Sequence, residues 1–372
     1  MEENMSLFDL LPEEDAARFK PMKSTDWKWT FADYPKEKNG LKVFSCFACG
    51  GGSTMGYKLA GCEVIGCCEI DPKMNEIYVK NHHPKHNFLM DIRDFNAIPN
   101  EELPEELFDL DVLDGSPPCT TFSMAGDRED SWGKKKKFRE GQKEQTLDDL
   151  SFIFIETVNK LKPRVVIMEN VEGLILGEAF QYVQKIYRQF AEIGYKVHHW
   201  LLKGEKMGIP QTRHRVFFVA CRNDLNLDPK NFDMTFNYEP VTLREIRDGK
   251  PGHPIKQGTQ QWEMLNKAKP GHKCIADVLV SEGQKPRCFN DCICWPDEVP
   301  PTLPAKGNTM DGEMKCRLNT VTASHSQTFP EDYDFCGKTH FYILGMSVPP
   351  VMMKRIVQRL IQEGVFRYKG VS

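Results

Sequence analysis

The stretch 114–125, DGSPPCTTFSMA, sets one cysteine, Cys119, directly behind the pair Pro117–Pro118. The thiolate is the nucleophilic form of cysteine. With an ordinary pKa of about 8.5, only a few per cent is ionised near neutrality, so a reactive Cys119 needs a cation beside it. The two prolines fix φ and remove two backbone donors, which leaves the loop few shapes. A buried structural thiol fits the same stretch, because free cysteine is among the most buried residue types. Two later segments carry further chemistry: Glu169-Asn170-Val171 ends a β-branched run, and Gln211-Thr212-Arg213-His214-Arg215 opens another. A carboxyl and two guanidinium groups offer a proton donor and cations that could ionise a thiol. The plain alternative is a strand-end acid paired with an arginine.

A second group points to a ligand. Gly50, Gly51 and Gly52 lie between an apolar run and a helical stretch, where the backbone can approach a ligand and helix amides face it. The turn departs from G-x-G-x-x-G, which argues against a nicotinamide dinucleotide. Glu69 closes the next apolar run, where a carboxylate can accept both ribose hydroxyls, and Asp91 closes the third, within reach of an adenine amino group. Solvated caps explain either acid alone. The glycine turn and both acids at three successive strand ends favour an adenosine-containing cofactor. Without a phosphate-type lysine motif, S-adenosylmethionine fits better than ATP.

The elements that must carry these residues read as alternating strand and helix over 41–222. Strands are expected at 41–47, 62–71, 87–92, 107–113, 164–170, 195–202 and 215–221, with helices at 53–59, 72–81, 146–161 and 178–193. Such alternation predicts an α/β fold with a parallel, doubly wound, Rossmann-like sheet, and ligands of open α/β sheets bind at the carboxyl ends of the strands. After Arg222 the pattern breaks into short segments rich in Pro, Gly, Asn and Lys, as in a second, smaller and irregular domain. Regularity returns near Gln327, and a helix is expected over 348–362 with Pro349 and Pro350 in its first turn.

Hydrophobic residues make up 40% of the 372 and charged ones 27%, ordinary values for a globular protein. With a mean hydropathy of -0.49 and no apolar run of 18 residues, no membrane span is expected. No signal-peptide layout opens the chain, so a cytoplasmic setting is expected, with thirteen scattered cysteines as reduced thiols. Cys288, Cys292 and Cys294, with Cys274 and His272, do not have the spacing of a structural zinc site, so no metal is expected. The net charge of -4 does not advertise a nucleic-acid partner. Local charge sets such contacts, and Lys134, Lys135, Lys136, Lys137 and Arg139 form a basic run shortly after Cys119, either a solvated loop or a phosphate-contacting one.

These motifs together resemble the DNA cytosine-5 methyltransferases of bacteria and phage. The resemblance rests on FACGGG at 47–52, Glu69, Asp91-Ile92, the GSPPC segment with Ser123, ENV at 169–171, QTRHR at 211–215, Phe329-Pro330 and GMSVPP at 345–350, in the family's order. It implies a Rossmann-like methyltransferase domain over 41–222, after an extension at 1–40. A target-recognition domain would span 223–326, with a return to the catalytic domain over 327–372. It also implies S-adenosylmethionine held by Phe47, Ala48, Cys49, Gly51, Gly52, Glu69, Ile70, Asp91, Ile92, Pro118, Leu147 and Ser347. The implied substrate is cytosine in double-stranded DNA, contacted by Ser123, the 134–139 basic run and Gln211.

The implied enzyme is a monomer that can stand beside a cognate restriction endonuclease. Cys119 would add to C6 of a flipped-out cytosine, Glu169 would donate to N3, Arg215 would hold O2, Arg213 would order the loop or a phosphate, and Asn170 would position the Cys119 loop. Four positions depart from the family pattern: Cys49 replaces a usual Gly, Thr120 a usual Gln and Met346 a usual Asn, and the 317–330 segment keeps Arg317 and Gln327 but lacks its usual Glu.

Overall fold

The computed structural model describes residues 21–118, 150–338 and 340–371. Its larger part runs β1 (Lys42–Cys46), α1 (Gly52–Leu59), β2 (Glu63–Glu69), α2 (Pro72–His82), β3 (His86–Leu89), α3 (Ile92–Ala97), β4 (Val112–Gly115), α4 (Leu150–Leu161), β5 (Val165–Val171), α5 (Phe180–Glu192), β6 (Tyr195–Lys203) and β7 (His214–Arg222). The seven strands form one sheet in the order β3-β2-β1-β4-β5-β7-β6. The first five pair in parallel. A parallel, doubly wound sheet was the expectation for 41–222, and the sheet is mostly parallel, with one exception: β7 runs antiparallel to both β5 and β6. No crossover helix separates β6 from β7, so the chain turns back within the sheet instead of crossing its face. The expected strand at 107–113 also starts late, because Glu105–Phe108 is a 3-10 turn.

Alternation along the strands builds two cores, one on each face. Phe44, Leu113, Val166 and Met168 face α4, α5 and Phe95. Val43, Val112, Val165 and Ile167 face the other side, where the last long helix packs. Strand order turns at β1 and β4, so their carboxyl ends open the crevice where such sheets take ligands. The glycine turn follows β1 and the Pro117–Pro118 loop follows β4.

The remainder holds α6 (Gln260–Lys267), α7 (Ile275–Ser281), β8 (Asp291–Cys294), β9 (Asn308–Asp311) and β10 (Cys316–Arg317). These strands make a separate three-stranded sheet over its own small core of Leu265, Leu279, Ile293, Trp295 and Met310. Next come α8 (Thr320–Ser326), α9 (His340–Met346) and α10 (Pro350–Gln362). Helix α10 lies against α1, close enough that a side chain on Gly56 would meet Cβ of Met353. Among the described residues no helix is long and apolar enough to cross a membrane, and no group of three His, Cys, Asp or Glu is arranged to hold a metal ion.

Candidate active site

Cys119 itself lies outside the described residues, as do Ser123, Lys134, Lys135, Lys136, Lys137, Arg139 and Leu147. The structure does describe what leads to that loop and what faces it. Gly115 ends β4, and a side chain there would run into the Phe154 ring of α4. Pro117 is buried, and its carbonyl accepts a hydrogen bond from Nδ2 of Asn170 at 3.3 Å. Asn170 is itself held, because its Oδ1 accepts from the amide of Val171 at 2.9 Å.

Glu169 and Arg215 meet across the β5–β7 pairing, with Nε of Arg215 3.1 Å from Oε1 of Glu169. Both side chains are largely buried, at 12% and 15% exposure, in a setting where charge pairs are weakly screened. Arg213 faces elsewhere. It is buried, and its Nη2 donates to the carbonyls of Gly345 and Ser347, each at 3.0 Å. Burial and the neighbouring Arg215 lower its pKa, while Glu169 acts to raise it. Its Nε and Nη1 have no hydrogen-bond partner among the described residues.

Gln211 was expected among the DNA contacts, and the structure places it inside. Its Nε2 donates to Oε1 of Gln327 at 2.8 Å, and its Oε1 accepts from the amide of Leu303 at 3.1 Å. With no exposed surface, it is a joint between three segments. Gln327 in turn donates to the carbonyl of Ser347 at 2.6 Å. Thus QTRHR, the 326–328 segment and GMSVPP form one buried polar network.

Of the expected cofactor residues, Phe47, Ala48, Cys49, Gly51, Gly52, Glu69, Ile70, Asp91 and Ile92 lie at the ends of β1, β2 and β3, while Pro118 follows β4 and Ser347 follows α9. Glu69 is buried at the end of β2, where its Oε2 accepts from the amide of Cys49 and its Oε1 from the amide of Asp71, both at 2.8 Å. A carboxylate has further lone pairs, so these bonds leave it able to accept from a ribose. Asp91 caps α3 through its Oδ1, with Ile92 buried behind it. Phe47 packs beside Phe154, Ala48 is buried, Cys49 is half-buried, and Ile70 follows Glu69 at the strand end. Pro118 is partly exposed at the loop start. The Ser347 hydroxyl donates to the carbonyl of Ile343, so only its backbone is turned toward Arg213 and Gln327. Helix α1 starts at Gly51 with no side-chain cap on its first amides. Uncapped amides, a buried acid on the next strand and a second acid beyond it suit the carboxylate, ribose and adenine of S-adenosylmethionine.

Two site features escaped the sequence. Asp114 is fully buried between these two halves, accepting from Ser45 at 2.7 Å and Tyr57 at 3.2 Å. Burial lifts its pKa to about 7 against these hydrogen bonds, and Glu169 adds to the rise. Its signal was an acid inside an apolar strand, which demands partners. His214, inside QTRHR, bonds Glu205 at 2.9 Å and lies 3.5 Å from Glu172, and the bond to Glu205 raises its pKa.

Residues 41–362 match the family model of C-5 cytosine-specific DNA methylases. The chain is 29% identical over 248 residues to the Type II methyltransferase M.FnuDI of Fusobacterium nucleatum, a match covering 66% of this chain and 62% of that protein. It is 26% identical over 334 residues to the Type II methyltransferase M.HindV of Haemophilus influenzae, covering 86% and 96%. A solved structure of a Spodoptera frugiperda DNMT2 mutant shares the fold, with a TM-score of 0.59 at 16% identity, covering 86% of this chain and 99% of that one.

Proposed function

The chain belongs to the C-5 cytosine-specific DNA methylase family, and on that premise we propose that it transfers a methyl group from S-adenosylmethionine to C5 of a cytosine flipped out of duplex DNA, through a covalent bond from Cys119 to C6. Cytosine C5 is a poor nucleophile until a thiolate adds at C6 and makes C5 enamine-like. S-adenosylmethionine supplies the methyl group. Once protonated, the Glu169 carboxyl donates to N3, and Arg215 holds O2 as charge enters the ring. Loss of the C5 proton to water, return of the N3 proton to Glu169 and departure of the thiolate then release the product and restore both Cys119 and Glu169. The base must leave the stack to be reached, at a cost of a few kcal/mol.

The observation that carries this reading is the Glu169–Arg215 pair, joined to the Cys119 loop by the bond from Asn170 to Pro117. Arg213 is a positioning residue that fastens QTRHR to GMSVPP. The basic run at 134–139 meets phosphates, and the 223–326 segment reads base edges in the major groove. In the cell the enzyme protects sites that a restriction endonuclease would cut.

Transfer of tritiated methyl groups to mixed duplex DNA tests the proposal. Label should enter the DNA with the wild type and be lost with Cys119→Ala. Unlabelled DNA with the wild type, or label retained by the variant, overturns it. Bisulfite sequencing of DNA from expressing cells should then give the methylated site.

A further inference from the structure

The glycine turn is gripped from behind by two residues that lie far from it in sequence. The carbonyl of Gly50 accepts from the hydroxyl of Tyr333 at 2.6 Å and from Nε2 of His82 at 3.1 Å. A carbonyl only accepts, so Nε2 carries the imidazole proton. Burial depresses the His82 pKa to about 3, which keeps the ring neutral, and its Nδ1 has no partner among the described residues. The other end of the same peptide is tied as well: the amide of Gly51 donates to the carbonyl of Ala48 at 2.8 Å. A peptide unit is planar, so holding both its oxygen and its N–H stops the plane from flipping. The turn needs such restraint, because Phe47 at φ 56°, Cys49 at 48° and Gly51 at 83° all sit in the left-handed region.

The grip is crowded into place. A side chain on Gly50 would come within 2.7 Å of the Tyr333 hydroxyl and 2.8 Å of Ile343, and one on Gly51 would strike the His82 ring. Around the two donors stand Tyr78, Phe329 and Phe335, with ring centroids 4.7 to 4.9 Å away. Phe31 closes the outside, 6.2 Å from His82 and 6.4 Å from Tyr333. Phe31 belongs to a segment that precedes the family match at 41–362. That segment is pinned by Trp29 Nε1 to the carbonyl of Thr328 at 2.8 Å and by the Phe31 amide to Asp332 at 3.0 Å.

We propose that Tyr333 and His82 are positioning residues for the cofactor, clamping the Gly50 carbonyl so that the opposite face of the turn is preset for S-adenosylmethionine, with Phe31 as the brace. The inference rests on the proposed reading of the turn as the cofactor cradle. It does not involve the DNA side of the site.

Calorimetry of S-adenosylmethionine and S-adenosylhomocysteine on the full chain tests it. Tyr333→Phe keeps the ring and removes one donor, and should weaken binding about tenfold, close to one lost hydrogen bond. His82→Leu should do the same. His82→Gln, which keeps a donor, should hold affinity within about threefold of wild type. Melting of the ligand-free variants within a few degrees of wild type shows that they fold, and in steady state the loss should appear in KM for the cofactor and not in KM for DNA. Wild type that binds while Tyr333→Phe and His82→Leu bind equally well overturns the clamp alone. Wild type that binds neither ligand overturns the cofactor reading and the clamp with it. Equal losses in His82→Gln and His82→Leu, or a matching rise in KM for DNA, would reduce the two residues to packing.

Discussion

The 3.1 Å pair of Glu169 and Arg215 sets what can be asked of single residues. Glu169→Gln keeps the shape but cannot give up a proton as the acid does, so kcat for methyl transfer should fall about 10²- to 10⁴-fold with little change in cofactor affinity. Asp114 makes a different prediction. Its folded-state pKa near 7 lies above the ordinary 3.8, so its stabilising contribution is complete below about pH 4 and fades as pH rises toward 7. The melting-temperature gap between wild type and Asp114→Asn should therefore shift against the wild type across that window and level off above it. An unchanging gap would refute the assignment. Cys49, where the family pattern has Gly, sits at φ 48°, so Cys49→Gly should relieve strain and raise stability by about 1 kcal/mol in urea unfolding. Residue types and order singled out Glu69, Glu169 and Arg215 from the chain alone, and the structure adds that Glu169 pairs with Arg215 and that Glu69 is buried at a strand end. The partners of Arg213 were not legible: the resemblance gave it a loop or a phosphate, whereas its Nη2 donates to the carbonyls of Gly345 and Ser347, about 130 residues away in sequence.

At the level of elements, the bond from Asn170 to Pro117 ties the end of β5 to the loop leaving β4. Asn170→Ala should lower kcat by about 10²-fold at most, through misplacement of the nucleophile's loop, while calorimetric binding of S-adenosylmethionine is kept. Periodicity foretold most helices and strands, and the glycine turn falls at the carboxyl end of β1 between strand and helix. The antiparallel course of β7 was hidden, since Arg215–Cys221 is equally apolar in either direction. Only the lack of an α-helix between 203 and 214, where a single 3-10 turn stands, separates a return strand from a crossover. Gln211 was misread for a related reason. A polar residue beside two arginines looks like a surface contact, yet its neighbours Gln327 and Leu303 are about a hundred residues away.

On the scale of the molecule, Gln211, Gln327, Arg213 and Ser347 stitch three distant segments into one buried network. Cutting it with Gln211→Ala leaves buried groups unpaired and should cost about 1–3 kcal/mol of unfolding free energy. The long reach of such contacts has a consequence during synthesis. Helix α10 is made about 300 residues after α1, which it covers, and Tyr333 completes a turn begun at Gly50. At about 5–20 residues per second, the cradle around Gly50 waits roughly 15–60 s for its far half to leave the ribosome. Until then the apolar face of α1 that carries Tyr57 has no cover from α10. A nascent chain halted before residue 350 should therefore be held by chaperones or cut by proteases, and the cell gains no half-built methylase that could occupy DNA without modifying it.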